Sequence, residues 1–313
     1  GLYNMYWYAF YLPYNICIVT TYDNFEAQLN SRNQRRQKLG YIDRREGLFS
    51  LARVLFYVPL LELVRHHLFF DAMMDDLEYL DTVPLLTLVS IGYTCVVFFY
   101  FKYIVIFGYP RSFALLDGMS PHPLPACITR IALYSSHWRN FDRGIYTFFK
   151  QHIFVPIARP SFSLVRRLAA TLISFVFVVV WHGSAHHILV WIALNVACIV
   201  MESLTRALYS GYFKFWRERS IGDRNFRRAL GWLQIFSLAT GTYGMFYFLG
   251  GSEAGYTFVR RIFWAETVTL HRFFFELIAF GYCYCQVSIE CERIIAERQT
   301  LRSDGSDGDK KQN

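Results

Sequence analysis

Residues 169–195 read AATLISFVFVVVWHGSAHHILVWIALN, and this stretch decides how the rest of the chain is interpreted. It is apolar enough to lie in a lipid bilayer, yet it contains His182 near its centre, followed by His186 and His187. Hydrocarbon offers a titratable side chain no hydrogen-bond partner, so such a side chain faces protein or a water-filled cavity. The stretch therefore predicts a membrane protein with His182 as a candidate functional residue.

The composition is that of a membrane protein. Of 313 residues, 54% are hydrophobic, 19% aromatic and only 18% charged, whereas charged residues make up about 25% of ordinary soluble proteins. The formal net charge is +8, and the Lys and Arg residues cluster in a few short polar loops. A nucleic-acid binder usually carries one basic face on a soluble fold, so we assign the charge to membrane topology and expect no nucleic-acid partner.

Hydropathy outside the central stretch predicts several membrane spans. Apolar runs at 47–70, 82–107, 229–249 and 270–290 are each long enough for the ~20 residues that cross ~30 Å of hydrocarbon. The basic loop at 31–46 belongs on the cytosolic side by its charge. We therefore predict an all-α membrane protein.

The stretch at 108–144 is rich in proline and too poor in consecutive apolar residues for an ordinary span. We interpret it as re-entrant or interfacial backbone, which is tolerated at membrane depth only where protein covers it or where it lines a cavity. Two arrangements follow for the residues after it. Either 186–204 returns the chain to the cytosol after a break at Gly183, or 144–158 crosses fully and 168–195 forms one long span.

The two ends of the chain differ in character. The first residues, GLYNMYWYAFYLPYN, lack an initiator Met and a positively charged stretch before an apolar core. We therefore expect no signal peptide, and we expect further membrane segments upstream. The last residues are polar and of low complexity. We predict a membrane core over 1–295 and a disordered polar tail over 296–313.

The three histidines of the central stretch also raise the possibility of a metal site. The pattern H-x-x-x-H-H resembles one histidine box of the membrane fatty-acid desaturases and hydroxylases, whose di-iron site needs several imidazoles at once. The only other adjacent histidines in the chain are His66 and His67, so the further boxes are missing. We predict that His186 and His187 are packing or cavity-lining groups and not metal ligands.

A second candidate residue, Asp142, lies in the motif HWRNFDRG. Alone it could cap a helix or pair with a neighbouring arginine. Its surroundings are more specific: a W-R-x-F-D stretch, a short apolar element that ends in V-P-I, and the W-H-G motif at 181–183. Together with KYIVIFGYPRSFALLDGMSPHPLPACITR and FGYCYCQVSIE, these motifs resemble the membrane-bound O-acyltransferase family over nearly the whole chain.

The resemblance implies a multi-span catalytic core with re-entrant segments around a tunnel that crosses the bilayer. The motifs are most similar to the branch that transfers palmitate from palmitoyl-CoA to the amino-terminal cysteine of secreted Hedgehog signalling proteins. That branch implies an endoplasmic reticulum membrane location, with the Golgi as the alternative. A serine of another secreted protein or a lipid stays open as the acceptor. A transporter or a non-enzymatic membrane scaffold stays open as the function.

Site residues are carried over from the family by position. His182 and Asp142 match the catalytic pair, with His182 as the general base toward the acceptor amine. Loop charge places Asp142 toward the cytosol, so ordering of the helices or contact with CoA is an alternative role for it. Residues that match the lining of the acyl-CoA path are Trp181, Trp138 and Arg139.

Cys127 matches the cysteine that ligates a haem b iron in this enzyme group. The residues alone indicate only a buried thiol, so the haem rests on the resemblance. We expect a structural haem, because acyl transfer has no redox step. The chain departs from the family at Ser252, where the resembling enzymes tend to have Asn.

Overall fold

The structure is a computed structural model that describes residues 2–128, 133–159, 161–263 and 272–310. Within these ranges the regular secondary structure is helical, as predicted, and it includes two π-helical turns at Lys150–Phe154 and Tyr209–Phe213. The α-helices, in chain order, are α1 (Leu2–Phe10), α2 (Leu12–Asn15), α3 (Tyr22–Leu39), α4 (Arg45–His67), α5 (Phe70–Asp75), α6 (Leu77–Thr82), α7 (Leu85–Leu116), α8 (Tyr134–Phe141), α9 (Arg143–Phe149), α10 (Val155–Ala158), α11 (Leu164–His182), α12 (His186–Leu208), α13 (Lys214–Ser220), α14 (Asp223–Phe263) and α15 (Arg272–Lys310).

Among the described residues, four helical stretches are long and apolar enough to cross a membrane: Arg45–His67, Leu85–Leu116, Leu164–His182 and His186–Ser220. Only 17% to 33% of the most apolar window of each is buried within the chain. Most of their apolar side chains therefore face outward, as they would toward lipid. The protein is a multi-pass membrane protein, as the composition predicts.

Helix α7 is longer than predicted. We expected irregular backbone soon after residue 107, but the helix runs to Leu116 through Pro110. Proline has no N–H to give to the carbonyl one turn back. That carbonyl belongs to Ile106, and it accepts a hydrogen bond from the Cys17 thiol at 3.3 Å. The amino-terminal segment thus satisfies the group that the proline leaves open.

Two further spans were predicted, at 229–249 and 270–290. The first lies in helix α14, and the second, from Arg272 onward, lies in helix α15. Neither helix is among the four candidate spans of the described residues. Helix α14 carries a row of small buried residues, which let neighbouring helices approach closely: Gly231, Ser237, Gly241 and Gly244. Helix α14 therefore packs on its neighbours through one face, while other side chains, among them Trp232 and Phe236, are exposed.

The helices pack in two main pairs, α4 against α7 and α12 against α14. Helices α11 and α12 also pack on one another, joined by the short stretch 183–185. This hairpin confirms the predicted break at Gly183, because residues 168–195 do not form one long helix; the return of 186–204 to the cytosol stays a prediction. Residues 144–158 form two short helices around a π-helical turn and are not among the candidate spans. The boundary between core and tail at 295 stays a prediction.

Candidate active site

The candidate site is built around the break between α11 and α12. Helix α11 ends at His182, and Gly183 follows with a φ of 92°, a backbone conformation that glycine adopts without strain. Helix α12 then begins at His186. The break places His182 at the tip of a helical hairpin.

His182 lies against an aromatic wall. Its imidazole packs edge to face on Trp191, with ring centroids 5.3 Å apart, and on Phe248, with centroids 5.7 Å apart. The rest of the side chain is exposed in this chain. The sequence predicts that His182 faces protein or a cavity, and the structure gives it a protein wall on one side and an open face on the other. The ring is both oriented and accessible.

Trp138 belongs to the same wall. Its indole ring lies 5.9 Å from Trp191 and packs edge to face on Phe175 at 5.1 Å. Its ring N–H donates to the side-chain carbonyl of Asn195 at 2.8 Å, and Asn195 is only 2% exposed. Because Trp138 and His182 contact the same tryptophan, the structure brings these two predicted site residues together.

The two other residues predicted to line the acyl-CoA path, Trp181 and Arg139, lie away from Trp191. Trp181 is 66% exposed and its ring stacks on Phe177 at 6.4 Å. Arg139 is exposed on the outer side of α8. In the part of the chain that the structure describes, neither side chain joins the Trp191 wall. Both are open to a molecule that approaches from outside the chain.

Helix α8 is held by a buried carboxylate that the sequence analysis did not single out. Glu202, on α12, is 8% exposed. It accepts hydrogen bonds from the backbone N–H groups of Tyr134 at 2.6 Å and Ser135 at 3.2 Å, and from the Ser237 hydroxyl at 3.3 Å. The first N–H groups of a helix have no partner inside the helix, and a negative charge there is favourable. Glu202 therefore fixes where α8 begins, and with it the position of Trp138.

Asp142 is the N-cap of α9. Its carboxylate accepts the backbone N–H of Ile145 at 2.9 Å and lines a small cleft with Arg111 and His122. Burial raises the pKa of Asp142 above its usual range, and the hydrogen bond from Ile145 offsets part of that shift. Among the described contacts, Asp142 makes no hydrogen bond to His182.

A chain of ring contacts separates the two members of the predicted catalytic pair. Phe141, which precedes Asp142, stacks on Phe99 with centroids 6.1 Å apart. Phe99 packs edge to face on Phe248 at 5.7 Å, and Phe248 packs on His182. Two phenyl rings thus lie between Phe141 and His182. This arrangement favours a positioning role for Asp142, the alternative that loop charge also suggests.

Two substitutions test the cap made by Asp142. We expect Asp142→Asn to leave the free energy of unfolding unchanged or slightly higher, because asparagine caps helices as well as aspartate does and avoids the burial penalty that raises the aspartate pKa. We expect Asp142→Ala to lower it by about 1 kcal/mol. Thermal unfolding in detergent measures both. Equal destabilisation by the two substitutions would contradict the cap.

Cys127, the implied haem ligand, lies in the irregular stretch before α8 and is half-buried. The backbone on both sides of it is fixed: Ala126 donates to the Asn140 carbonyl at 3.0 Å, and Tyr284 donates to the Ile128 carbonyl at 2.9 Å. The described residues contain no group of three or more His, Cys, Asp or Glu side chains that could hold a metal ion. A single half-buried thiol of this kind could serve as one thiolate ligand of a haem iron.

The second histidine of the break has a partner that the sequence analysis missed. The Nδ1 atom of His186 lies 3.0 Å from the hydroxyl oxygen of Ser252, a residue 66 positions away. Ser252 follows Gly251, whose φ of 76° interrupts α14. The prediction that His186 only packs or lines a cavity is therefore incomplete. The one available signal was the departure from the family pattern at Ser252.

Comparison with known proteins connects this arrangement to one family. The family model of the membrane-bound O-acyltransferases matches residues 1–246. The chain is 32% identical to the protein-cysteine N-palmitoyltransferase HHAT of Mus musculus over 244 residues, which are 77% of this chain and 48% of the mouse protein.

Two further relatives show the same pattern. The chain is 28% identical to the protein-cysteine N-palmitoyltransferase Rasp of Drosophila melanogaster over 256 residues, 79% of this chain and 49% of the fly protein. It is 29% identical to the protein-cysteine N-palmitoyltransferase HHAT-like protein of Mus musculus over 190 residues, 60% of this chain and 36% of that protein. The chain spans about half the length of the first two curated relatives.

Proposed function

Because this chain belongs to the membrane-bound O-acyltransferase family, we propose that it transfers palmitate from palmitoyl-CoA to the amino-terminal cysteine of a secreted Hedgehog-like protein. The names of two relatives, both protein-cysteine N-palmitoyltransferases, support a protein cysteine as the acceptor. We propose the endoplasmic reticulum membrane as the location, since a secreted acceptor passes through that compartment. The four apolar helical stretches among the described residues support a bilayer as the surroundings.

The observation that carries the proposal is the position of His182 at the hairpin tip. Attack of an amine on a thioester requires the amine nitrogen to lose a proton. We propose that His182 takes that proton on the open face of its imidazole, while Trp191 and Phe248 hold the ring on the other side. The N–C bond forms, the C–S bond of the thioester breaks, and the proton passes from His182 to the thiolate, so that CoA leaves as the thiol.

The acyl donor is proposed to use the aromatic surface around this hairpin. Trp138, held by Asn195, offers an apolar face near His182 on which an acyl chain can pack. The exposed ring of Trp181 and the exposed guanidinium of Arg139 suit the outer part of acyl-CoA, since arginine pairs well with phosphate. Asp142 then acts as a positioning residue that caps α9.

We also propose that haem b is held through Cys127. When bound, it would supply rigidity between the irregular stretch and α8, and no electron transfer, because acyl transfer has no redox step. Replacing Cys127 by alanine is expected to remove the haem absorption band of the purified protein. An unchanged band would exclude Cys127 as the ligand.

The proposed function is tested with an acceptor panel and labelled palmitoyl-CoA in detergent. The panel contains a peptide with a free amino-terminal cysteine, the same peptide with its amine acetylated, a peptide with an internal serine, and a lysolipid. We expect label only on the free amino-terminal cysteine peptide, as an amide that resists hydroxylamine. Label on the serine peptide or on the lysolipid would redirect the assignment to that acceptor class. No label on any acceptor would favour a scaffold or a transporter.

A further inference from the structure

A second cavity lies away from the residues assigned to acyl transfer. It has a volume of about 340 Å³ and is formed by residues of α4, α5 and α7, the segment that joins α4 to α5, and one residue of α14. Most of its lining is apolar, and its charged side chains are Arg65, Asp71 and Lys102. Neither His182 nor Trp138 is among the described residues that line it. The mechanism above therefore gives this cavity no role.

Lys102 is unusual for its depth in a membrane-spanning helix. It lies near the middle of α7, about 26 Å of helix from Leu85 and about 21 Å from Leu116 at about 1.5 Å per residue. A lysine near the end of a span can extend its amine to the interface, whereas a lysine in the middle faces protein or a cavity and pairs with an opposite charge. No ion pair of the described residues includes Lys102. Its position therefore favours an anionic ligand in the cavity.

The packing of α4 on α7 shows how far Arg65 lies from this depth. Val54 lies against Gly108, and Tyr57 packs on Phe101 with ring centroids 5.5 Å apart, so the two helices run antiparallel. Arg65 lies eight residues after Tyr57, about 12 Å farther along α4. Arg65 is therefore at the outer end of the cavity, toward the end of α4.

The two ends of the cavity differ in charge. At the outer end, Arg65 pairs with Glu62 at 3.1 Å. Asp71 belongs to the same end, because it lies on α5, which follows the end of α4. The outer end thus carries no net positive charge, whereas Lys102 places a cation at the deep end. A ligand with one anionic group is expected to place that group at Lys102.

The lining between the two ends suits an alkyl chain. Phe70 of α5 and Phe98 of α7 pack on each other with ring centroids 5.1 Å apart, and Met74, Cys95 and Leu249 add further apolar surface. Ligand pockets have volumes of about 300–1,000 Å³, so this cavity is near the lower limit. One alkyl chain fits such a volume better than the two chains of a phospholipid.

We propose that this cavity binds a single-chain lipid with an anionic group. The anion pairs with the ammonium of Lys102, and the chain packs on the phenyl rings of the lining. The carboxylate of a free fatty acid and the phosphate of a lysophospholipid share this chemistry. Phe99 also lines the cavity and packs on Phe248, the ring that packs on His182. A bound chain thus contacts the aromatic rings that orient His182.

The test uses the full chain in phosphatidylcholine nanodiscs and a palmitic acid probe that carries a photoreactive diazirine and an alkyne. Peptide mass spectrometry after illumination is expected to find the probe on the lining segments at 68–74 and 95–102. Lys102→Met is expected to reduce labelling about tenfold or more, because it removes a charge-assisted contact and keeps the apolar stem. Lys102→Arg keeps the charge and should keep most of the labelling. Lys38→Met, on the exposed end of α3, should leave it unchanged.

A matched probe separates the anionic group from the chain. The same probe with an alcohol in place of the carboxylate is expected to label the cavity at least tenfold less. Competition with unlabelled palmitate and with lysophosphatidic acid then shows which anionic lipid the cavity prefers, and either result supports the inference.

Three results would overturn the inference: equal labelling by acid and alcohol, unchanged labelling of Lys102→Met, or label confined to residues outside the cavity. No CoA thioester is present, so none of these results bears on the proposed acyl transfer. Gel filtration checks that each variant is folded, and loss of labelling in Lys102→Met counts only for protein that elutes as the wild type does. If that variant does not fold, the comparison of acid with alcohol on the wild-type protein decides.

Discussion

We expect His182→Ala to lower the rate of the proposed palmitoyl transfer to a peptide with a free amino-terminal cysteine by about 10²- to 10⁴-fold, the usual contribution of a general base. This loss corresponds to about 3 to 5 kcal/mol of activation free energy. The physical reason is that the attacking amine keeps its proton when no imidazole is present at the hairpin tip. The measurement is the initial rate with labelled palmitoyl-CoA in detergent, for protein that elutes as the wild type does.

The neighbouring His187 provides a matched control. It lies on the first turn of α12, is half-buried, and has no role in the proposed mechanism. His187→Ala is expected to transfer palmitate at nearly the wild-type rate. Wild-type turnover in His182→Ala, or an equal loss in both variants, would refute His182 as the base.

Glu202→Ala is the substitution with the largest expected effect on stability. It removes the acceptor of two backbone N–H groups at the start of α8 and of the Ser237 hydroxyl. Buried donors left without a partner cost about 1–3 kcal/mol each in unfavourable cases, so we expect a loss of about 2 to 4 kcal/mol in the free energy of unfolding. The measurement is thermal and denaturant unfolding in detergent, followed by tryptophan fluorescence.

Two variants control for this prediction. Glu202→Gln keeps one carbonyl oxygen as an acceptor and should lose about half as much stability. Glu218→Ala, on the exposed surface of α13, should change the free energy of unfolding by less than about 0.5 kcal/mol. Unfolding of Glu202→Ala at the wild-type midpoint would show that α8 does not depend on this carboxylate.

The membrane helices were predictable from the sequence because each depends mainly on its own residues. The apolar runs at 47–70 and 82–107 correspond to α4 and α7, and Gly183 correctly predicts the break between α11 and α12. Helix α7 extends past the predicted limit, and the carbonyl that Pro110 leaves free accepts a hydrogen bond from a distant thiol, Cys17. No local pattern contains that contact.

The site was predictable only in part, because some of its contacts join residues that are far apart in the sequence. His182, Trp138 and Asp142 stand in motifs that the family shares. The hydrogen bond between His186 and Ser252 joins residues 66 positions apart, so it depends on how α12 packs on α14. Glu202 is a lone carboxylate in an apolar run, a signal that a buried role was possible, but the sequence does not reveal that its partner is the start of α8. The family motifs identify side chains, and packing decides which of them meet.

The row of small residues in α14 also bears on how the protein enters the bilayer during synthesis. A segment of limited apolarity gains little by partitioning into lipid alone, whereas the stretch that begins with α12 has a mean hydropathy of 2.0 and is synthesised earlier. We expect helix α14 to insert against α12 as a partner already in place, since Gly244 lies close to Trp191 and Asn195. The same docking brings Phe248 and Ser252 to the histidines. We therefore expect docking of α14 on α12 and assembly of the site to occur together.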